Sequence, residues 1–296
     1  MGGRIATDVG EEAPIGTSVA GMTHTLNDGH SLPAIGFGTY PLGGPTGVEA
    51  MASALRQGYR LIDSAVNYEN EGAVGEAVRR SGVPREEIIV TSKLPGRHHA
   101  YGEAKTCVYE SLYRMQLDHI DLYLIHWPNP SADRYVEAWQ ALVDLQRDGV
   151  LRSIGVSNFL PDHLDRIIAE TGVTPAVNQV ELHPFFPQAL QRQVDAERGI
   201  RTEAWSPLGR AQEIMHNPVI AGIADAHGRT PAQVVLRWHL QLGTIPLPKA
   251  ASASRQLENL SVFDFELDAT QMAAITALGR SDGRIFNADP ATHEEL

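Results

Sequence analysis

From residue 34 onward the chain alternates between apolar runs of strand length and longer stretches whose apolar positions recur at helical spacing. The runs are AIGFG (34–38), RLID (60–63), IIVTSK (88–93), LYLIH (122–126), SIGVS (153–157), AVNQVE (176–181), RTEAWS (201–206) and TIPLPK (244–249). Between them lie amphipathic stretches such as EGAVGEAVRRSG, with Val74, Ala77 and Val78 on one face, and YVEAWQALVDLQRDG, with Ala138, Leu142, Val143 and Leu145. Strand-then-helix alternation predicts a parallel sheet. Eight such units in about 270 residues match the size of a (β/α)8 TIM barrel. A doubly wound sheet is the alternative, but its glycine fingerprint is missing: in GFGTYP (36–41), Pro41 stands where the third glycine would fall.

The pattern also predicts decorations. Two short apolar stretches flank Asn27-Asp28-Gly29, a tight-turn signal that predicts a small N-terminal β-hairpin. An extra helix is expected over 210–227, and a long C-terminal tail after Gly279. Residues 1–22 carry no long apolar run and read as a flexible extension, with Met22 an alternative start and residues 23–296 a single barrel. Gly2 does not make a myristoylation site, because Ala6 stands where Ser or Thr is needed.

Composition narrows the function classes. A formal charge of −12 with a pI near 5.4 disfavours nucleic acid and anionic membranes as partners. Cys107 is the only cysteine, which excludes an intramolecular disulfide and a multi-cysteine zinc site. A cytoplasmic monomer acting on a small molecule is expected.

Candidate chemistry gathers at strand ends. Asp63, Lys93 and His126 each terminate an apolar run, about one βα unit apart, so three parallel strands would deliver them to the same mouth of the barrel. Tyr68, in the loop after the second run, can lean toward Asp63 and Lys93. A phenol near pKa 10 is too weak an acid for ready proton exchange at neutral pH. An ammonium beside it, at about 4 Å and an effective dielectric near 20, would favour the phenolate by at most roughly 4 kcal/mol, which a neighbouring carboxylate would reduce. Asp63 would hold that ammonium, and His126 would present an N–H to a substrate oxygen. Taken singly, Asp63 could be a turn cap, Tyr68 a packing residue and His126 a core histidine; Lys93 needs a partner in any case.

These residues resemble the aldo-keto reductase superfamily, in particular bacterial members like 2,5-diketo-gluconate reductases. The blocks GFGT, LIDSAVNYENEGAVGEAV, TSKL, DLYLIHWP, SIGVSNF, AVNQVELHP, AWSPLG and IPLPKAASASRQLEN stand in that family's order. The resemblance implies a barrel that uses NADPH to reduce aldehydes or ketones, with Asp63, Tyr68, Lys93 and His126 as the catalytic tetrad and Tyr68 as general acid. It places the cofactor along Gly38, Thr39 and Asp63. Ser157, Asn158 and Gln179 would bind the nicotinamide carboxamide, Trp205 would stack on its ring, and Ser206, Leu208 and Gly209 would line the pyrophosphate. Lys249, Arg255, Glu258 and Asn259 fall at the adenosine end. Two cations there, in so acidic a chain, favour NADPH over NADH, although Ala250 replaces a serine that relatives often carry. Trp205 could instead be a barrel-filling aromatic.

The substrate pocket is expected to be walled by Tyr40, Tyr68, His126, Trp127, the loop 95–104 and the tail, with Arg97, His98, His99 and Asn129 able to attract polar groups. His98 and His99 are expected to be solvated rather than metal-bound, and His183 structural. No metal is expected, because one Asp, one Lys, one His, Ser and Gln make a poor cage for a divalent ion. A nucleotide-sensing protein with little turnover is the competing function.

Overall fold

The computed structural model describes residues 22–211 and 213–295. The expected N-terminal extension, Met22 apart, lies outside the described residues. A hairpin of β1 (Thr23–Thr25) and β2 (Ser31–Pro33) turns at Asn27-Asp28-Gly29, with Gly29 at φ 90°. An eight-stranded parallel sheet follows: β3 (Phe37–Gly38), β4 (Leu61–Asp63), β5 (Ile89–Leu94), β6 (Ile120–Ile125), β7 (Leu151–Ser157), β8 (Val177–Glu181), β9 (Arg201–Trp205) and β10 (Ile245–Pro246), paired in sequence order. Gly36 N–H donates to Pro246 O at 3.0 Å and Gly38 N–H to Pro248 O at 3.1 Å, so the first strand meets the last and the sheet closes into a barrel. Both positions must be glycine for that approach: a Cβ at 36 would lie 2.5 Å from Leu247 Cδ2, and one at 38 would lie 2.8 Å from Leu247 O.

The helices follow their strands: α1 (Gly44–Arg56), α2 (Glu71–Ser81), α3 (Tyr101–Met115), α4 (Tyr135–Arg147), α5 (Pro161–Thr171), α6 (Ala189–Glu197), α7 (Pro218–His227), α8 (Pro231–Gln241), α9 (Ala253–Leu260) and α10 (Ala269–Thr276). In α1, Val48, Met51, Ala52 and Leu55 recur at helical spacing and are buried against the sheet. α7 is the insertion before α8. It starts later than the expected 210–227, because Asn217 caps it by accepting from Val219 N–H at 3.0 Å; a 3-10 turn over Ile214–His216 precedes it. The tail after Gly279 has neither helix nor strand among the described residues.

Period-two alternation gives every strand an inward and an outward face. At the hairpin end the inward positions are apolar: Leu61, Leu122, Leu124, Val177, Ile245 and Leu247 pack with Leu26 and Leu32 of the hairpin, which plugs the barrel. The next inward positions along β4 and β8 are Asp63 and Gln179, and Lys93 of β5 and Glu203 of β9 join them through hydrogen bonds. The carboxyl ends of the strands therefore carry the polar layer.

Candidate active site

Lys93, at the end of β5, is fully buried. Its Nζ donates to Asp63 Oδ1 and Oδ2, each at 2.7 Å, to Ser64 O at 2.9 Å and to the Tyr68 hydroxyl at 3.4 Å. Burial alone would discharge the ammonium, but Asp63 and Tyr68 together outweigh it and leave the Lys93 pKa above its ordinary value. Asp63 is therefore no helix cap: both of its oxygens face inward, and Gln179 Nε2 donates to Oδ1 at 2.9 Å.

Local chemistry sets the position of Tyr68. A 3-10 turn over Val66–Tyr68 is stopped by Glu69 in the left-handed region, φ 53°. Asn70 then ties this loop to its neighbour, accepting from Ser64 Oγ at 2.7 Å and donating to Thr39 Oγ1 at 3.0 Å and Leu42 O at 2.8 Å. The ring of Tyr68 faces His126, with centroids 5.8 Å apart, and touches Tyr40 at 5.1 Å. The expected acidification does not occur. Burial pushes the Tyr68 phenol up by more than Lys93 pulls it down, with Asp63 and Glu295 adding to the rise. The phenol is thus protonated in the resting protein, with the Lys93 ammonium 3.4 Å from its oxygen.

Beneath this group lies an acid the sequence reading missed. Glu203 Oε2 accepts from Gln179 Nε2 at 2.8 Å, so one amide bridges Glu203 and Asp63. Burial, reinforced by the Asp63 charge, raises the Glu203 pKa to about 8, which keeps it neutral at pH 7. The signal was present in RTEAWS: strand alternation puts Glu203 on the same face as Trp205.

The next strands complete the mouth. Ser157 Oγ donates to Gln179 O at 2.8 Å, Asn158 Nδ2 to His126 O at 3.0 Å, and Trp205 Nε1 to Asn158 Oδ1 at 2.9 Å. Asn158 and Ser206 hold φ of 63° and 49°, conformations that turn the chain sharply at the strand ends. A separate cavity of about 340 Å³, lined by Asn27, Asp28, Ile154 and Ala176, belongs to the hairpin end, away from these titratable groups.

A model of the aldo/keto reductase family matches residues 34–280. The chain belongs to that family. It is 54% identical over 274 residues to 2,5-diketo-D-gluconic acid reductase B of Corynebacterium sp. (strain SHS752001), a match covering 93% of this chain and 98% of the relative. It is 43% identical over 266 residues to methylglyoxal reductase DkgA of Escherichia coli (strain K12), covering 90% of this chain and 95% of that one. Among solved structures, a mutant of Gox0644 in complex with NADPH superposes with a TM-score of 0.88 at 43% identity, covering 92% of this chain and 98% of that one.

Within this aldo/keto reductase the remaining expected residues divide. Ser157, Asn158, Gln179 and Trp205 adjoin the group of Asp63, Tyr68, Lys93 and His126, and because both donor bonds of the Gln179 amide are spent on acids, only its Oε1 remains to meet a ligand. The Thr39 side chain is likewise spent, donating to Asp63 O at 2.9 Å, and Gly38 is engaged in closing the barrel. Gly209, at φ 54°, packs its Cα face against Ile214, with Leu208 beside it in the same turn. Lys249 and Arg255 are exposed, and among the described residues neither has an ion-pair partner. Glu258 accepts from Thr230 Oγ1 at 2.7 Å, Asn259 is buried against the Tyr59 hydroxyl, and Ala250 is buried in the core.

At the substrate end, Tyr40 is 58% exposed over Tyr68, and Trp127 packs against His293 of the tail at 4.2 Å. His99 is not solvated as expected. It is buried, and burial lowers its pKa to about 4, against the opposing pull of Glu295 and Glu294 in the tail that packs on this loop. No group of three or more candidate metal ligands occurs among the described residues. His183 is buried and lies 3.0 Å from Glu181 Oε1. Sequence reasoning also missed Glu295, whose Oε1 lies 2.7 Å from His126 Nδ1; a contact between residues so far apart in the chain leaves no trace in local pattern.

Proposed function

We propose that this protein reduces aldehydes or ketones to alcohols with NADPH, using Tyr68 as the general acid, and that residues 23–296 act as one catalytic unit. The observation that carries the reading is the buried Lys93 ammonium, 2.7 Å from both Asp63 oxygens and 3.4 Å from the Tyr68 hydroxyl. NADPH, when bound, supplies a hydride to the carbonyl carbon. The residues fit such a cofactor: exposed cations at Lys249 and Arg255 suit a phosphate, and the acceptor oxygens Asn158 Oδ1, Ser157 Oγ and Gln179 Oε1 suit the N–H₂ of a carboxamide. Tyr68 gives its proton to the oxygen as negative charge develops there, Lys93 stabilises the resulting phenolate, Asp63 keeps Lys93 charged, and His126 orients the oxygen.

The two named relatives point the substrate class toward small α-dicarbonyls and keto sugars. Loss of NADPH absorbance at 340 nm across such carbonyls tests the activity. In Tyr68→Phe, kcat should fall roughly 10²–10⁴-fold while NADPH affinity holds; a variant retaining most of its kcat would remove Tyr68 from the role. Arg255→Ala should weaken NADPH binding about 10-fold and leave NADH unaffected, and equal losses for both would reject the adenosine-end assignment. The competing reading, a nucleotide sensor, is favoured by Glu295 lying against His126. It requires NADPH to quench tryptophan fluorescence with no carbonyl-dependent oxidation.

A further inference from the structure

The tail crosses the mouth on a series of specific contacts. Ile285 N–H donates to Glu181 Oε1 at 2.6 Å, Ser131 N–H to Glu294 Oε1 at 2.6 Å, and Asn129 Nδ2 to the Glu295 carbonyl at 2.6 Å. These bring the Glu295 carboxylate to two N–H donors from two loops and up against the His126 ring at a strand end. Oε1 lies 2.7 Å from His126 Nδ1 and accepts from Asn67 Nδ2 at 2.6 Å, and Oε2 accepts from Gly96 N–H at 3.1 Å. The Arg97 guanidinium bonds Asn67 Oδ1, which turns the amide N–H₂ toward the carboxylate and puts a cation behind it. Glu295 is only 10% exposed, yet His126, Gly96 and Asn67 hold its carboxyl below the ordinary range against the cost of burial.

The cradle is built rather than incidental. A Cβ at position 96 would lie 2.2 Å from Asn129 Nδ2, so the backbone N–H reaches the carboxylate there because residue 96 has no side chain. Beside it His99 is buried with neither ring nitrogen paired among the described residues. Donors that converge on an anion in a partly dry pocket favour ionised carboxylate over water.

We propose that Asn67 Nδ2 and Gly96 N–H, beside the His126 ring, form a carboxylate-binding subsite at the substrate end of the barrel, occupied here by the chain's own Glu295, for which small monocarboxylates and the acid end of a keto acid compete. This rests on the reductase reading for its use in catalysis, but not for its binding chemistry. A tethered carboxylate acts as a ligand at an effective concentration in the millimolar range. It therefore screens the subsite against dilute acids and sets the preference between acidic and neutral carbonyls.

Acetate is the probe, and calorimetry on the full-length protein is the readout, so the result does not depend on turnover. Glu295→Ala should bind acetate at least about 5-fold more tightly than the parent. Adding Asn67→Ala to that variant should abolish the gain. Thermal unfolding establishes that each variant is folded, and Glu295→Gln, which keeps the shape while dropping the charge and one of the two acceptor oxygens, serves if the alanine variant is not. Acetate affinity that gains less than this on removing the Glu295 charge, or a gain that survives the loss of Asn67, overturns the subsite. In parallel, KM for pyruvate should fall more than KM for methylglyoxal in Glu295→Ala. Absence of any carbonyl-dependent NADPH oxidation with either substrate, alongside tighter acetate binding, would count against the reductase reading and leave the subsite standing.

Discussion

The two ends of the barrel are built from the same strands, yet they do opposite things. At the hairpin end, Leu61, Leu122, Leu124, Val177, Ile245 and Leu247 close over Leu26 and Leu32 in a layer that needs only volume and apolarity. Two residues further along β4 and β8, Asp63 and Gln179 join a hydrogen-bonded network whose other ionisable members are Lys93, Tyr68 and Glu203. The apolar layer pins the strands, and the polar layer uses that rigidity to hold charges where water would otherwise scatter them. Stability and chemistry are thus separated along the barrel axis by about one turn of the strand alternation.

The sharpest way to break the separation is to remove a charge from the polar layer. Lys93→Met leaves Asp63 buried and uncompensated, so chemical denaturation should report a loss of about 3–5 kcal/mol, accompanied by loss of carbonyl reduction. A variant as stable as the parent would show that the pair contributes nothing to holding the mouth. The matching change at the other end is Leu122→Ala. It should cost about 2–5 kcal/mol and leave kcat within about 2-fold at temperatures where the protein is folded; a large kcat effect would mean the layers are mechanically coupled.

The gentlest test concerns Glu203. Its folded pKa, about 8, lies above the ordinary value of 4.5, so the folded state binds the extra proton. The sign follows: this proton's contribution is complete below about 4.5 and is lost as pH rises through about 8. Between pH 6 and 8 the parent should therefore lose about 2 kcal/mol relative to Glu203→Gln, whose amide stands in for the neutral acid. Parallel stability–pH curves for the two proteins would contradict a neutral Glu203.

Much of this was legible in one dimension because it is local. Strand-length runs at regular intervals, helical spacing between them and the turn at Asn27-Asp28-Gly29 specify barrel and hairpin, since backbone hydrogen bonding and apolar burial act over a few residues at a time. The convergence of Asp63, Lys93 and His126 followed from the same rhythm, because parallel strands end on the same side. What local pattern could not supply was the balance of opposing terms. That Lys93 would acidify Tyr68 was a sound pairwise argument, and the burial of the phenol reversed it. That His98 and His99 would both be solvated ignored a tail that packs on their loop.

The order of residues therefore determined which side chains share a face and which strands lie side by side, since both depend on alternation and on the closure of short βα units. Only the tertiary structure decided which of those groups are charged and which contacts are already filled. Desolvation depends on everything packed around an atom, and the meeting of Glu295 with His126 joins segments far apart in the chain that no periodicity relates.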